Sequence, residues 1–171
     1  AIDDDEATFE QGGRQGIDRD PRAAGAGGEL DGALAAGQRA PHVERTVDAA
    51  IAKFGRLDVI VNNAGLMVFK PITELVLEDW IKVLHVDLLG AFFFTKQAFL
   101  KMKNGGSIVN ISSVHAIETS PLVAPYAAAK SALISLTRTS SLEGAAKNIR
   151  VNAVLPGAID TPMLWENPNV K

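Results

Sequence analysis

Val43, Val47, Ala50, Ile51 and Phe54 recur at the spacing of a helix with one apolar face, and Gly55 follows where a C-terminal cap belongs. Leu57 to Val61 is then a short, almost wholly apolar run with β-branched residues, which predicts a strand buried on both faces. A second helical pattern runs from Leu77 to Lys103 and closes at Asn104-Gly105-Gly106. Ser107 to Ile111 predicts the next strand. Pro125 can open a third long helix, because its missing N–H costs nothing in a first turn, and that helix ends near Gly144. Ile149 to Leu155 is a third strand, stopped by Pro156-Gly157.

Short apolar strands joined by helices of this length can be linked only as parallel neighbours. The predicted fold class is therefore α/β, a doubly wound parallel sheet of Rossmann-like type with helices over both faces. In such sheets ligands sit at the carboxyl ends of the strands. Asn62-Asn63-Ala64-Gly65, Ser112-Ser113 and Pro156-Gly157 all fall at such ends, on one rim.

Composition divides the 171 residues near Pro41. Residues 1–41 hold eight of the fifteen glycines, nine acids and four arginines, with only Ile2, Phe9, Ile17, Leu30 and Leu34 as large apolar residues. A segment of that kind buries little, so residues 1–41 are expected to be loosely attached or disordered, and residues 42–171 to form the folded domain. With a net charge of −3 the chain lacks the basic surface that phosphate contacts require, which argues against nucleic acid as a partner. The absence of cysteine removes thiolate metal sites and cysteine nucleophiles, and the histidines at 42, 85 and 115 have no ligand spacing, so no metal is expected. The longest uninterrupted apolar stretch, Leu88 to Phe94, falls short of the ~20 residues of a membrane helix, so no bilayer span is expected. The acidic start offers no export or import signal, and the expected address is cytoplasmic.

Chemistry concentrates around the single tyrosine. Tyr126 precedes Lys130 by four residues, which puts phenol and ammonium on one helical face. An unperturbed tyrosine titrates near ~10, and a neighbouring cation would bring it towards a useful range for acid–base work. Ser113 stands thirteen residues ahead of Tyr126, at a strand end, where its hydroxyl could hold an oxygen that the tyrosine protonates.

The ordered set of Asn-Asn-Ala-Gly at 62–65, Ser113, Tyr126-x-x-x-Lys130 and Pro156-Gly157 resembles the classical short-chain dehydrogenase/reductase family, from about Val43 to Met163. The resemblance implies hydride transfer between NAD or NADP and an alcohol or carbonyl of a small-molecule substrate. It implies that Ser113, Tyr126 and Lys130 are catalytic, and that Lys130 binds the nicotinamide ribose while lowering the tyrosine pKa. By the same resemblance Asn63 lies against the adenosine ribose, and Pro156, Gly157, Ile159 and Thr161 border the nicotinamide. It also implies a homodimer or homotetramer assembled through the two long helices, whose Ala91-Phe92-Phe93-Phe94 segment is apolar nearly all round.

The chain departs from the family pattern in its glycine turn, at Asp87 and at its ends. No strand-borne Thr-Gly-x-x-x-Gly-x-Gly turn is recognisable, so the first βαβ unit that holds the pyrophosphate is expected to be lacking. Gly12-x-x-x-Gly16 has Asp18 where a third glycine belongs, and Gly25-Ala26-Gly27-Gly28 follows a polar stretch. Asp18 is a candidate ribose anchor. Asp87 stands where the family carries an asparagine that binds a water through a main-chain kink. Both ends are expected to be incomplete or altered relative to the family. These departures keep an alternative open, a catalytically impaired relative that serves as a partner-binding or regulatory subunit. His115, two residues after Ser113, is read as either a pocket residue or a solvated one.

Overall fold

The structure, a computed structural model, describes residues 41–170 in full, and residues 8–10 and 28–40 by backbone alone. In chain order its elements are strand β1 (Thr8–Glu10), helix α1 (Gly28–Phe54), strand β2 (Val59–Asn62) and helix α2 (Leu77–Leu84). Then follow a π-helical turn (His85–Leu89), helix α3 (Gly90–Lys101), strand β3 (Gly106–Ile111) and a 3₁₀ turn (Val114–Ala116). Helix α4 (Ala124–Ala145), strand β4 (Ile149–Val154) and the short α5 (Pro162–Trp165) complete them. The four strands form one sheet in the order β1-β2-β3-β4, all pairs parallel. The expected α/β architecture is present.

Thr8–Glu10 pairs in parallel with Val59–Val61, so β1, α1 and β2 make a βαβ unit by topology although Thr-Phe-Glu has no apolar run to announce it. Helix α1 also starts before the composition break and continues through Pro41. Proline has no N–H, so the helix gives up one hydrogen bond there, and the loss is offset by packing further along. Gly12 to Gly16, Asp18 and residues 25–27 lie outside the described residues.

Val43 and Val47 of α1, Phe94 and Ala98 of α3, and Met102 pack with Leu57, Ile60, Ile108, Ile149 and Val151 in one buried cluster. The strand expected to be buried on both faces, β2, alternates instead, and β3 and β4 do the same. Ile60, Asn62, Ile108, Asn110 and Val151 are buried, while Val61, Val109 and Ile111 are partly exposed and Val154 is exposed. The reason is coverage: α1, α3 and α4 lie over the face that carries Ile60 and Ile108, and helices over the opposite face, which a doubly wound sheet calls for, are not among the described residues.

Leu77–Lys101 is one continuous helical run containing an 18-residue window with a mean hydropathy of 1.3, long and apolar enough by length and composition to cross a membrane. The shorter stretch counted in the sequence does not register it. In the fold this run turns Ala91, Phe94 and Ala98 onto the sheet and α1, and buries Asp87, the behaviour of a core helix.

Two glycines are required by geometry. Gly55 ends α1 at φ +82°, donating to Ile51 O at 2.8 Å, which is the cap read from the sequence. Gly105 turns the chain into β3 at φ +80°, and an added Cβ would meet Asn148 O at 2.6 Å.

Candidate active site

The rim at the carboxyl ends of β2, β3 and β4 is built by backbone ties between three loops. Ser112 N–H donates to Val154 O at 2.8 Å and Val114 N–H to Pro156 O at 3.1 Å, which holds the segment after β3 beside the one after β4. Ser112 Oγ donates to Lys130 O at 2.9 Å and Lys130 Nζ to Ile111 O at 2.9 Å, so α4 is fastened to the end of β3 at the residue that carries the ammonium. Pro125 sits in the first turn of α4, as its fixed φ favours, and Tyr126 follows it.

Ser113, Tyr126 and Lys130 come together there, all buried. Ser113 Oγ accepts from His115 N–H at 3.2 Å, which leaves the serine's own hydrogen to face the Tyr126 phenol, whose ionised form it favours. Lys130 Nζ stands 5.4 Å from the centre of the Tyr126 ring. The His115 ring meets the same tyrosine edge-on at 6.0 Å and its Nδ1 lies 3.2 Å from Thr119 Oγ1, so this histidine belongs to the wall of the site.

Asp87 completes the cluster from the π-helical turn. A π turn inserts one extra residue into a helix and swings a side chain out of register. Here it turns the Asp87 carboxylate inward, at 1 % exposure. Oδ1 accepts from Leu66 N–H at 2.9 Å, and Oδ2 faces Lys130 Nζ at 3.5 Å, longer than a good hydrogen bond, with no hydrogen-bond partner of its own. Gly65 is in the same contact. A Cβ added to it would lie 3.3 Å from both Asp87 Oδ2 and Lys130 Nζ, so the glycine of Asn-Asn-Ala-Gly lets the loop close over the ion pair.

These contacts set the titration of the group. Burial raises the Asp87 carboxyl to about 6, against the opposing pull of the Lys130 ammonium and the Leu66 amide. Burial lowers the Lys130 ammonium, and Asp87 opposes that. The Tyr126 phenol is raised by burial, lowered by Ser113's donation, and raised again by the Asp87 charge. The expectation that Lys130 lowers the phenol therefore does not hold for the chain by itself, because burial outweighs what lowers it and the Asp87 charge adds to the rise.

The remaining candidates lie at the edge of this cluster. Asn63, Gly157, Ile159 and Thr161 are exposed, Pro156 is partly exposed, and Thr161 Oγ1 donates to Ile159 O at 3.3 Å. Sequence reasoning passed over a buried polar chain directly beneath the rim. Asn62 Nδ2 donates to Asn110 Oδ1 at 2.7 Å, Asn110 Nδ2 to Thr137 Oγ1 at 2.8 Å, and Thr137 Oγ1 to Leu133 O at 2.8 Å. The available signal was an asparagine in each of two apolar strands, at register positions that pair across the sheet.

Residues 31–170 match the short chain dehydrogenase family, and the chain belongs to it. It is 43% identical over 129 residues to 3-oxoacyl-[acyl-carrier-protein] reductase FabG of Thermotoga maritima, an alignment that takes in 74% of this chain and 52% of that protein. It is 44% identical over 124 residues to 3beta-hydroxysteroid dehydrogenase 1 of Eggerthella lenta, covering 71% of this chain and 48% of the relative. Among solved structures, a short chain dehydrogenase from Mycobacterium smegmatis superposes with a TM-score of 0.67 at 36% identity, over 69% of this chain and 50% of that one. A structure described as ElxO with NADP bound gives 0.70 at 38% identity, over 74% and 52%. The chain thus spans about half the length of the relatives it matches.

Proposed function

We propose that this chain carries the catalytic half of an NAD(P)-dependent oxidoreductase that interconverts an alcohol and a carbonyl on a small-molecule substrate. The observation that supports this reading most is the joint burial of Ser113, Tyr126 and Lys130, with Lys130 fastened to the end of β3 and its ammonium 5.4 Å from the centre of the Tyr126 ring. The residues present suit the nicotinamide end of such a cofactor. An ammonium has three donors and Ile111 O takes one, leaving Lys130 able to bind ribose hydroxyls. Nothing lies within 4 Å of a Cβ added at Gly157, so a flat ring can approach the backbone closely. Asn63, Pro156, Ile159 and Thr161 would border the nucleotide on the same rim. The glycines of residues 12–16 and 25–27, which do not match the family's pyrophosphate turn, lie outside the described residues.

The cofactor, when bound, supplies the hydride chemistry. Tyr126 exchanges the proton at the substrate oxygen, Ser113 holds that oxygen by its hydroxyl, and Lys130 orients the ribose and lends positive charge. With its pKa raised, the phenol is protonated at neutral pH and suited to donate to a carbonyl oxygen as the carbon is reduced. Alcohol oxidation needs the phenolate and is favoured as pH rises. Residues 42–171 are the unit that carries these groups, and a two-fold assembly through the run Leu77–Lys101 and α4 fits the exposed Phe92, Leu100 and Leu142.

Calorimetric titration with NADH and NADPH tests this reading, with Tyr126→Phe as companion and a carbonyl panel for turnover. The expected result is saturable micromolar binding, retained in the variant, with turnover only in the parent chain. No binding up to millimolar nucleotide in a folded sample overturns it and leaves a non-catalytic subunit.

A further inference from the structure

Of the groups gathered at the rim, Asp87 is the one that the proposed chemistry leaves unused. It is a buried carboxylate with one oxygen committed to Leu66 N–H and the other without a hydrogen-bond partner, set against Lys130 at 3.5 Å and against the Gly65 backbone. We propose that Asp87 is a positioning residue with an electrostatic role: it clamps the Gly65–Leu66 turn onto Lys130, and its fixed negative charge makes the site prefer an oxidised, positively charged nicotinamide to a reduced, neutral one. This rests on the nicotinamide reading of the site.

The argument is one of charge balance in a place shielded from water. The titratable groups that face Asp87 are Lys130 and Tyr126, both from α4, while the loop after β2 presents an amide and a glycine. With Asp87 ionised, the Asp87–Lys130 pair is neutral, and a cationic ring entering beside it meets little net repulsion. With Asp87 protonated or replaced by a neutral amide, the ring meets an uncompensated ammonium. Little water intervenes, so the difference is not screened as it would be at the surface. The reduced ring carries no charge and is nearly indifferent to the change. The preference for oxidised over reduced nucleotide therefore grows as pH rises through the Asp87 transition near 6. His115, whose ring meets Tyr126 edge-on, is common to the parent chain and an Asp87 variant, so its contribution cancels between them.

The test measures dissociation constants for the oxidised and reduced nucleotides at pH 5 and pH 8, in the parent chain and in Asp87→Asn, which keeps an acceptor for Leu66 N–H. The expected result is an oxidised-to-reduced preference at least about fivefold larger at pH 8 than at pH 5 in the parent, and a pH-independent preference in the variant. A preference that ignores both pH and the substitution overturns the inference while leaving the nicotinamide reading intact. Failure of all nucleotides to bind overturns that reading instead. A second readout needs neither variant nor cofactor. In the parent chain, NMR resonances of the Asp87 carboxyl and the Lys130 side chain are expected to titrate together, and a Lys130 signal that does not follow Asp87 refutes the coupling.

Discussion

Thr137→Val is nearly isosteric and removes a single hydroxyl from the polar chain beneath the rim. Asn110 is 0% exposed, and its Nδ2 has Thr137 Oγ1 at 2.8 Å as acceptor. Without that oxygen a buried amide donor has lost its partner where no water reaches it, a loss worth about 1–3 kcal/mol. Leu133 O loses its hydroxyl donor as well, a smaller effect because a helical carbonyl keeps its main-chain bond. The expected destabilisation is about 2 kcal/mol, or a fall in Tm of about 4–8 °C for a domain of this size. Urea unfolding followed by circular dichroism measures it, with Thr137→Ser, which keeps the oxygen, as a control expected to cost about 1 kcal/mol or less. Asn110→Leu removes the same contact from the strand side, so the double variant should cost less than the sum of the singles by about 1 kcal/mol. Additive costs, or a Thr137→Val chain within ~0.5 kcal/mol of the parent, would refute the view that this hydrogen bond holds α4 to the sheet. The functional stake is position, since Thr137 is on the same helix as Lys130 and Tyr126.

Asp87 makes the chain's stability depend on pH with an unusual sign. Its pKa is raised on folding, from 3.8 to about 6, so the native state holds the proton more tightly. Stability from that source is present below pH ~4 and is lost as pH rises through about 6, by about 3 kcal/mol, and the difference in unfolding free energy between parent and Asp87→Asn should change by that much. A flat difference from pH 4 to 7 would show that the carboxyl is not desolvated. Gly144→Ala drives a Cβ to 2.5 Å from Ile149 O and should cost about 1–3 kcal/mol in thermal unfolding, whereas Gly157→Ala, with open space around it, should stay within ~0.5 kcal/mol. Ile60→Ala empties a fully buried position between α1, α3 and the sheet and should cost about 2–5 kcal/mol in the same assay.

What could be read from the sequence follows from how local each signal is. Gly55, Pro125 and the β-branched runs act through their own φ, ψ and side-chain period, so the end of α1, both ends of α4 and the strands β2, β3 and β4 were legible within a residue or two. Tyr126 and Lys130 were legible because one helix turn fixes their proximity. The strand Thr8–Glu10 was not, since its pairing with β2 comes from a partner 51 positions away and not from its own residues. Asp87 was read as a departure at a kinked place, but its ion pair with Lys130 joins two helices through a π turn, and no periodicity announces a helix that takes in one extra residue. The reversal of the Tyr126 shift came mainly from burial of the phenol, with the Asp87 charge adding to it, and neither is visible in a one-turn spacing. The sheet's one-sided coverage was equally hidden, because Val61, Val109 and Ile111 look as apolar in sequence as the residues that α1, α3 and α4 cover.

The parallel order of the sheet also bears on how the chain reaches this state. Val59 pairs with Ser107, 48 positions on, and Ser107 with Arg150, 43 positions on. Each pairing must close a loop of that length, at an entropic cost of about 3 kcal/mol before any ladder bond forms. Helices equilibrate in about a microsecond, so α3 and α4 can form and melt many times before the strands find register. During that interval the apolar runs of β2, β3 and β4 are exposed with their backbone groups unpaired, the condition in which chains capture one another. Production of this protein is therefore expected to be limited by the speed of strand pairing, and slower synthesis or lower temperature should raise the yield of soluble chain.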